Sequence, residues 1–224
     1  MKLREYLEAR AIAQAVLDEL QTAVRDQAQT QAAAFLRNQC ARVISEMKVS
    51  MKSFDFAIGF NTCFHLAILA GAMADDFFRI RKLADRLVAK YPIGATVRVN
   101  AIRFTLIAEC KAISLSELGT KSRCDALQGR LNSDFDAAIV TAADRMEYAA
   151  QRALVKLHAA ITADLVTRGR PLPNIATFET RQRMPALALA NRIYGDADRA
   201  QEIIAENAVV HPLFMPTSIK VLTA

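Results

Sequence analysis

A mostly α-helical chain, long helices first and a small mixed unit last, is the expectation from three features of the 224 residues. Gly (7) and Pro (6) are scarce, and these are the residues that break helices. Ala, Leu, Arg, Glu and Gln, which propagate helices, are abundant between them. Apolar residues recur every three or four positions as far as Ile161, the period of one helix face, and alternate only after "TRGRPLPN" (Thr167 to Asn174). With 53% hydrophobic and 23% charged residues the chain can bury a core, which excludes a disordered chain.

The elements follow in order. Leu3, Leu7, Ile12, Val16, Leu20 and Val24 step at helical spacing, then a polar middle, "QTAVRDQAQTQ", leads to Phe35, Leu36, Val43, Ile44, Met47 and Met51. The spacing predicts one or two long helices over about residues 3–50, suited to packing on other copies or on the chain's own central helix. "FAIGFNTCFHLAILAGAMA" (Phe56 to Ala74) carries no formal charge over nearly a bilayer's width. Its Asn61, Thr62, His65 and two glycines argue for a central helix buried on all sides, with no stable membrane insertion. A basic amphipathic helix is expected at about 74–90. Tyr91-Pro92-Ile93-Gly94 interrupts the pattern, because Pro92 disfavours a helical Tyr91. A helix over about 96–114 follows, since Ile102, Leu106, Cys110 and Ile113 step by four, four and three despite the β-branched content.

After Leu118-Gly119, the residues Phe135, Ile139, Ala142, Met146, Ala149, Ala153, Leu157 and Ile161 read as one long helical seam resembling a coiled coil. The Gly/Pro punctuation at Thr167–Asn174 marks a domain boundary, giving a helical bundle over 1–170 and a module over 171–224. In that module Ile175–Thr180 and Ser218–Leu222 alternate as strands, and two short helices lie at about 185–194 and 197–206, a βααβ order.

Chemistry is sparse. Cys40, Cys63, Cys110 and Cys124 lack metal spacing and read as small core residues in a reducing compartment. His65 reads as a core histidine, His158 as a surface or interface residue beside the seam, and His211 as setting chain direction before Pro212. No nucleophile elbow, phosphate loop or dinucleotide fingerprint is present, so no enzyme, cofactor or metal is expected. Asp134 and Asp196 are expected at helix starts, as caps. The net charge of +6 is densest in "RIRKLADRLVAK", where Arg79, Arg81, Lys82, Arg86 and Lys90 form a basic face, either solvated or turned to an acidic partner such as nucleic acid. The basic stretches lack interleaved aromatics, which disfavours nucleic acid. In the module, Gly195 permits the turn after the first short helix, Asp196 or Asp198 caps the second, and Asn207 suits the left-handed position at its end. His211-Pro212 and Pro216 then direct the chain to the last strand.

The stretch "MPALALANRIYGDADRAQEIIAENAVVHPLFMPTSIKVL" resembles the C-terminal end of the Mu-like phage tail protein family known as DNA circularisation proteins. The shared positions are Pro185, Leu187, Ala190, Ile193, Tyr194, Gly195, Asp196 and Ala197, then Glu202, Ile203, Ile204 and Asn207, then His211, Pro212, Phe214 and Pro216. The outline is also similar to LysM-like modules. The resemblance implies a virion structural protein at the baseplate hub, where it meets the tail tube and tape-measure protein, made in the host cytoplasm and assembled as a homo-oligomer. It makes Tyr194, Gly195, Asp196, Asn207, His211, Pro212, Phe214 and Pro216 the module-defining residues. Two departures stand out: the family's β-rich N-terminal domain is not found, and "PTS" (Pro216 to Ser218) replaces its glycine before the last strand. Peptidoglycan binding through the LysM-like outline and DNA binding at a phage genome end are the alternative expectations.

Overall fold

The computed structural model describes residues 2–24, 30–53 and 55–223. Among them the chain is mostly helical with one two-stranded sheet near the C-terminus. The helices are α1 (Leu3–Thr22), α2 (Gln31–Ser50), α3 (Asp55–Leu69), α4 (Ala74–Arg86), α5 (Pro92–Leu115), α6 (Lys121–Asp144) and α7 (Tyr148–Gly169). Strand β1 (Asn174–Glu179), α8 (Ala186–Tyr194), a 3-10 turn (Ala197–Arg199), α9 (Ala200–Asn207) and β2 (Ser218–Thr223) complete it. The polar middle between α1 and α2 falls partly outside the described residues.

Two compact units form. The first comprises Met1–Glu117 and Asn132–Ile161, the second Leu118–Leu131 and Thr162–Ala224. The division therefore passes within α6 and α7 instead of at residue 171. The Gly/Pro stretch marks where helices end, while the second unit also takes in the helical turns beside its strands. Lys121 N–H, for example, donates to Pro173 O at 3.0 Å.

In the first unit α5 packs against α1, α3 and α4. Local chemistry sets the helix ends. Thr30 Oγ1 accepts from Ala33 N–H to start α2, and Asp76 accepts from Met73 N–H to start α4. Pro92 opens α5 as its first residue, where a missing N–H costs nothing. Glu8 of α1 accepts from the N–H groups of Lys90 and Tyr91 at 2.9–3.0 Å. Gly94 makes room for that carboxylate, since a Cβ there would lie 2.4 Å from Glu8 Oε1.

Helix α3 departs from the expectation. Phe56, Phe60, Cys63, Phe64 and Ala67 are buried, but Asn61 and His65 are exposed, as are Ile58 (64%) and Leu69 (61%). It is not enclosed on all sides, and His65 is not a core histidine. Burial follows the phenylalanines at i, i+4 and i+8: Phe56 stacks on Phe60, Phe60 meets Phe64 edge-on, and Phe60 and Phe64 both meet Phe104; lack of charge is a weaker guide. No described helix is long and apolar enough to cross a membrane.

The long seam is also interrupted. The chain turns between α6 and α7, with Met146 at φ 57°. Glu147 N–H donates to Ala142 O and Met146 N–H to Ala143 O, the paired bonds of a Schellman stop. Phe135, Ala142 and Ile161 are buried, whereas Met146, Ala149 and Ala153 are exposed. His158 returns alongside α6: its ring stacks on Phe135 at 4.9 Å and its Nε2 is 2.8 Å from Asn132 Oδ1. A left-handed non-glycine residue costs about 1–2 kcal/mol. Met146→Gly is therefore expected to raise the melting temperature by a few degrees after glycine's entropic cost is subtracted. A lower melting temperature would contradict this account of the turn.

Candidate functional site

The basic stretch on α4 does not form one face. Arg81 is 1% exposed and pairs with Glu109 of α5, itself 0% exposed, and with Asp134 of α6. Lys82 reaches the same Asp134 at 3.2 Å, and Arg79 pairs with Glu19 and Asp76. Arg86 and Lys90 are exposed. Helical phase explains this, since Arg81 follows buried Ile80 and lies on the side that meets α5 and α6. Arg81 thus cannot reach a phosphate backbone, and Asp134, mid-helix, is an ion-pair partner and not the expected cap. Changing Arg81 and Lys82 to Glu would test folding before DNA binding.

The cavity beside this network is about 70 Å³ and includes Arg81, Asp85, Arg103, Asp134 and Thr141 in its lining. It falls well below the roughly 300 Å³ of a small-molecule site. A hollow of about 390 Å³ between the starts of α3 and α5 has Met51, Phe56, Pro92, Ile93 and Asn100 in its wall. None of its lining residues titrates, so it offers no acid or base. The four cysteines are free and buried. Burial pushes the Cys110 thiol up to about 12, and the hydrogen bond with Cys40 raises that of Cys63, away from the reactive thiolate.

The module-defining residues do come together, in the second unit. Its core is Ala186, Leu189, Ala190, Ala200, Ile203, Met215, Ile219 and Val221, with Ala176, Phe178, Ile193 and Tyr194 packed around it. Strands β1 and β2 pair antiparallel, Asn174 opposite Thr223 and Glu179 opposite Ser218. Gly195 ends α8 at φ 71°, and Asp196 caps the following turn by accepting from Asp198 N–H at 2.9 Å. Both match the sequence reading.

Asn207 has a different task from the one expected. The left-handed residue after α9 is Ala208, at φ 47°. Asn207 is the last helical residue, and its side chain grips β2. Nδ2 donates to Ile203 O and Lys220 O, while Oδ1 accepts from Lys220 N–H, all at 2.8 Å. Two residues on, Leu222 N–H donates to the Tyr194 hydroxyl at 2.9 Å. In an antiparallel pair alternate residues point their backbone groups outward. Asn207 and Tyr194 therefore satisfy the side of β2 turned away from β1. Arg199 covers the Tyr194 ring at 3.8 Å and pairs with Glu202 at 2.8 Å. That hydrogen bond holds the Glu202 carboxyl below its usual range and the guanidinium above its own.

Asn207→Ala is expected to destabilise the module by about 1–2 kcal/mol, because it strips partners from backbone groups. Amide exchange at Lys220 reads the effect directly. Asn207→Asp keeps the acceptor for Lys220 N–H and loses both donors, so it should restore part of the protection at Lys220 while the module stays less stable than the parent, its Ile203 and Lys220 carbonyls having lost their partner.

His211, Pro212, Phe214 and Pro216 lie on the exposed run from α9 to β2. Phe214 is 68%, Leu213 66% and Val210 86% exposed. Sequence reasoning singled out Phe214 only through the resemblance, and missed Val210 and Leu213. Their signal is an apolar stretch with neither helical nor strand period, Val210 before Pro212 and Leu213 between Pro212 and Pro216.

These features define a helical bundle joined to a small βααβ module whose distinctive residues hold its fold. No protein-family model matches the chain, and no curated protein matches it either.

Proposed function

We propose that this chain is a structural component of a bacteriophage tail, at the baseplate hub and tail-tube end, with the C-terminal module docking on a neighbouring tail protein. One observation carries the reading: the residues that give the resemblance to the circularisation protein family are those that build the module. Tyr194 and Asn207 fasten β2, Gly195 and Asp196 make the turn, and Phe214 stands outside. Their work is architectural, as a docking module requires. The helical part supplies contacts between copies, and exposed apolar side chains such as Ile58, Leu69 and Val140 are available for them. Antibody labelling of purified phage particles in the electron microscope tests the assignment. Label at the distal tail is the expected result, and particles that lack the chain would refute it. Retention of the protein on purified cell walls would favour peptidoglycan binding instead.

A further inference from the structure

Two segments of the second unit are tied side by side, Thr180–Arg192 and Ala208–Thr217. Thr180 N–H donates to Thr217 O at 2.7 Å, Met215 N–H to Met184 O at 3.2 Å and Ala186 N–H to Pro212 O at 2.7 Å. Phe214 N–H closes a turn on His211 O at 3.0 Å. Met215, fully buried, anchors the loop in the module core, while its neighbours remain in solvent. Val210, Leu213 and Phe214 are exposed, and so is Leu187 (61%), the residue after Ala186. Single exposed apolar side chains are ordinary. Four on one pinned loop and the helix start bonded to it are a local concentration, the pattern that marks an interaction surface.

The charged side chains within the two segments have one sign. Arg181, Arg183 and Arg192 are exposed, and these two segments contain no Asp or Glu. The nearest acids in sequence lie just outside them: Glu179 at the end of β1, then Asp196, Asp198, Glu202 and Glu206 beyond α8.

We propose that the 208–217 loop and the start of α8 form a docking surface for a protein segment whose apolar side chains are flanked by Asp or Glu. This rests on the docking reading above and specifies the partner's chemistry. The cations are all arginine, whose planar fork meets a carboxylate with two parallel hydrogen bonds. The loop is held in place before binding, so little order remains to be imposed. A lipid surface calls for a broad apolar helix face, and α8 already commits its own face, Ala186, Leu189 and Ala190, to the module core.

The test titrates the full chain with fluorescent 12-residue peptides that alternate Leu or Phe with Asp or Glu. Lys-containing counterparts and phosphatidylglycerol vesicles run in parallel. The acidic peptides are expected to bind and to weaken as salt rises. Affinity should fall at least tenfold with Leu213→Ser plus Phe214→Ser, and again with Arg183→Glu plus Arg192→Glu. All four side chains are exposed, so both variants should melt as the parent does. Equal binding of the Lys peptides, affinity unchanged by the substitutions, no peptide binding, or vesicle binding alone would each overturn the proposal. A chain found in tails whose module ignores acidic peptides would lose this surface and keep the tail assignment. Peptide binding by a chain missing from particles would do the reverse.

Discussion

Arg81→Ala should lower the melting temperature of the helical unit by roughly 6–20 °C. Removing one member of a buried ion pair costs about 3–5 kcal/mol, because the charge left behind has no water to solvate it. Here the guanidinium joins three helices: it extends from α4 to Glu109 on α5 and Asp134 on α6. Asp134 keeps Lys82, whose side chain is 44% exposed, while the Glu109 side chain, 0% exposed, loses the guanidinium in the drier site. At about 2–4 °C per kcal/mol for a chain of this size, the loss is easily resolved by calorimetry. A compensating variant separates charge burial from shape. Arg81→Met with Glu109→Leu and Asp134→Leu removes the buried guanidinium together with both carboxylates, leaves the 44% exposed Lys82 to solvent, and should recover most of the loss. If Arg81→Ala melts with the parent, the network does not hold these helices. If the triple variant is as unstable as the single one, packing and not charge is responsible.

Phe60→Ala should be comparably severe, at about 3–5 kcal/mol. The ring is fully buried and meets three others: Phe56 and Phe64 at 5.4 Å and Phe104 of α5 at 6.1 Å. Truncation loses the burial of the ring, leaves a cavity and removes edge-to-face contacts, each worth about 0.5–1.5 kcal/mol. Phe60→Leu retains most of the apolar volume and should cost clearly less. Urea unfolding checks both: the midpoint should move while the slope holds, since the surface exposed on unfolding barely changes. A small effect from Phe60→Ala would mean that α2, α3 and α5 close over the gap. Neither Arg81→Ala nor Phe60→Ala should alter amide exchange at Lys220, which reports on the other unit.

The sequence was most legible where the signal is local. Both strands, the first short helix and the Gly195 turn fall within a residue or two of their expected places, and the second short helix, expected from 197, opens with a 3-10 turn and turns α-helical at Ala200. Each is marked by a residue that acts on its own backbone, such as Gly195 by its left-handed φ or Asp196 by its cap. Periodicity also placed α5 correctly against its β-branched content. What could not be read is pairwise. Arg81 and Glu109 are 28 positions apart, and nothing near either one announces a buried partner. Arg81 looked like one more cation on a basic face. Likewise the step of four and three runs unbroken through Met146, and only the left-handed backbone there shows that the chain reverses. Asn207 was located well but assigned the wrong task, because its partner Lys220 lies 13 residues downstream.

That grip of Asn207 and Tyr194 on β2 bears on crowding. A bare strand edge recruits strands from other molecules and seeds aggregates. On β2 the outward backbone groups of Lys220 and the N–H of Leu222 are already taken by side chains of the same module. Modules brought close together at high concentration therefore meet without their last strands zipping into a shared sheet.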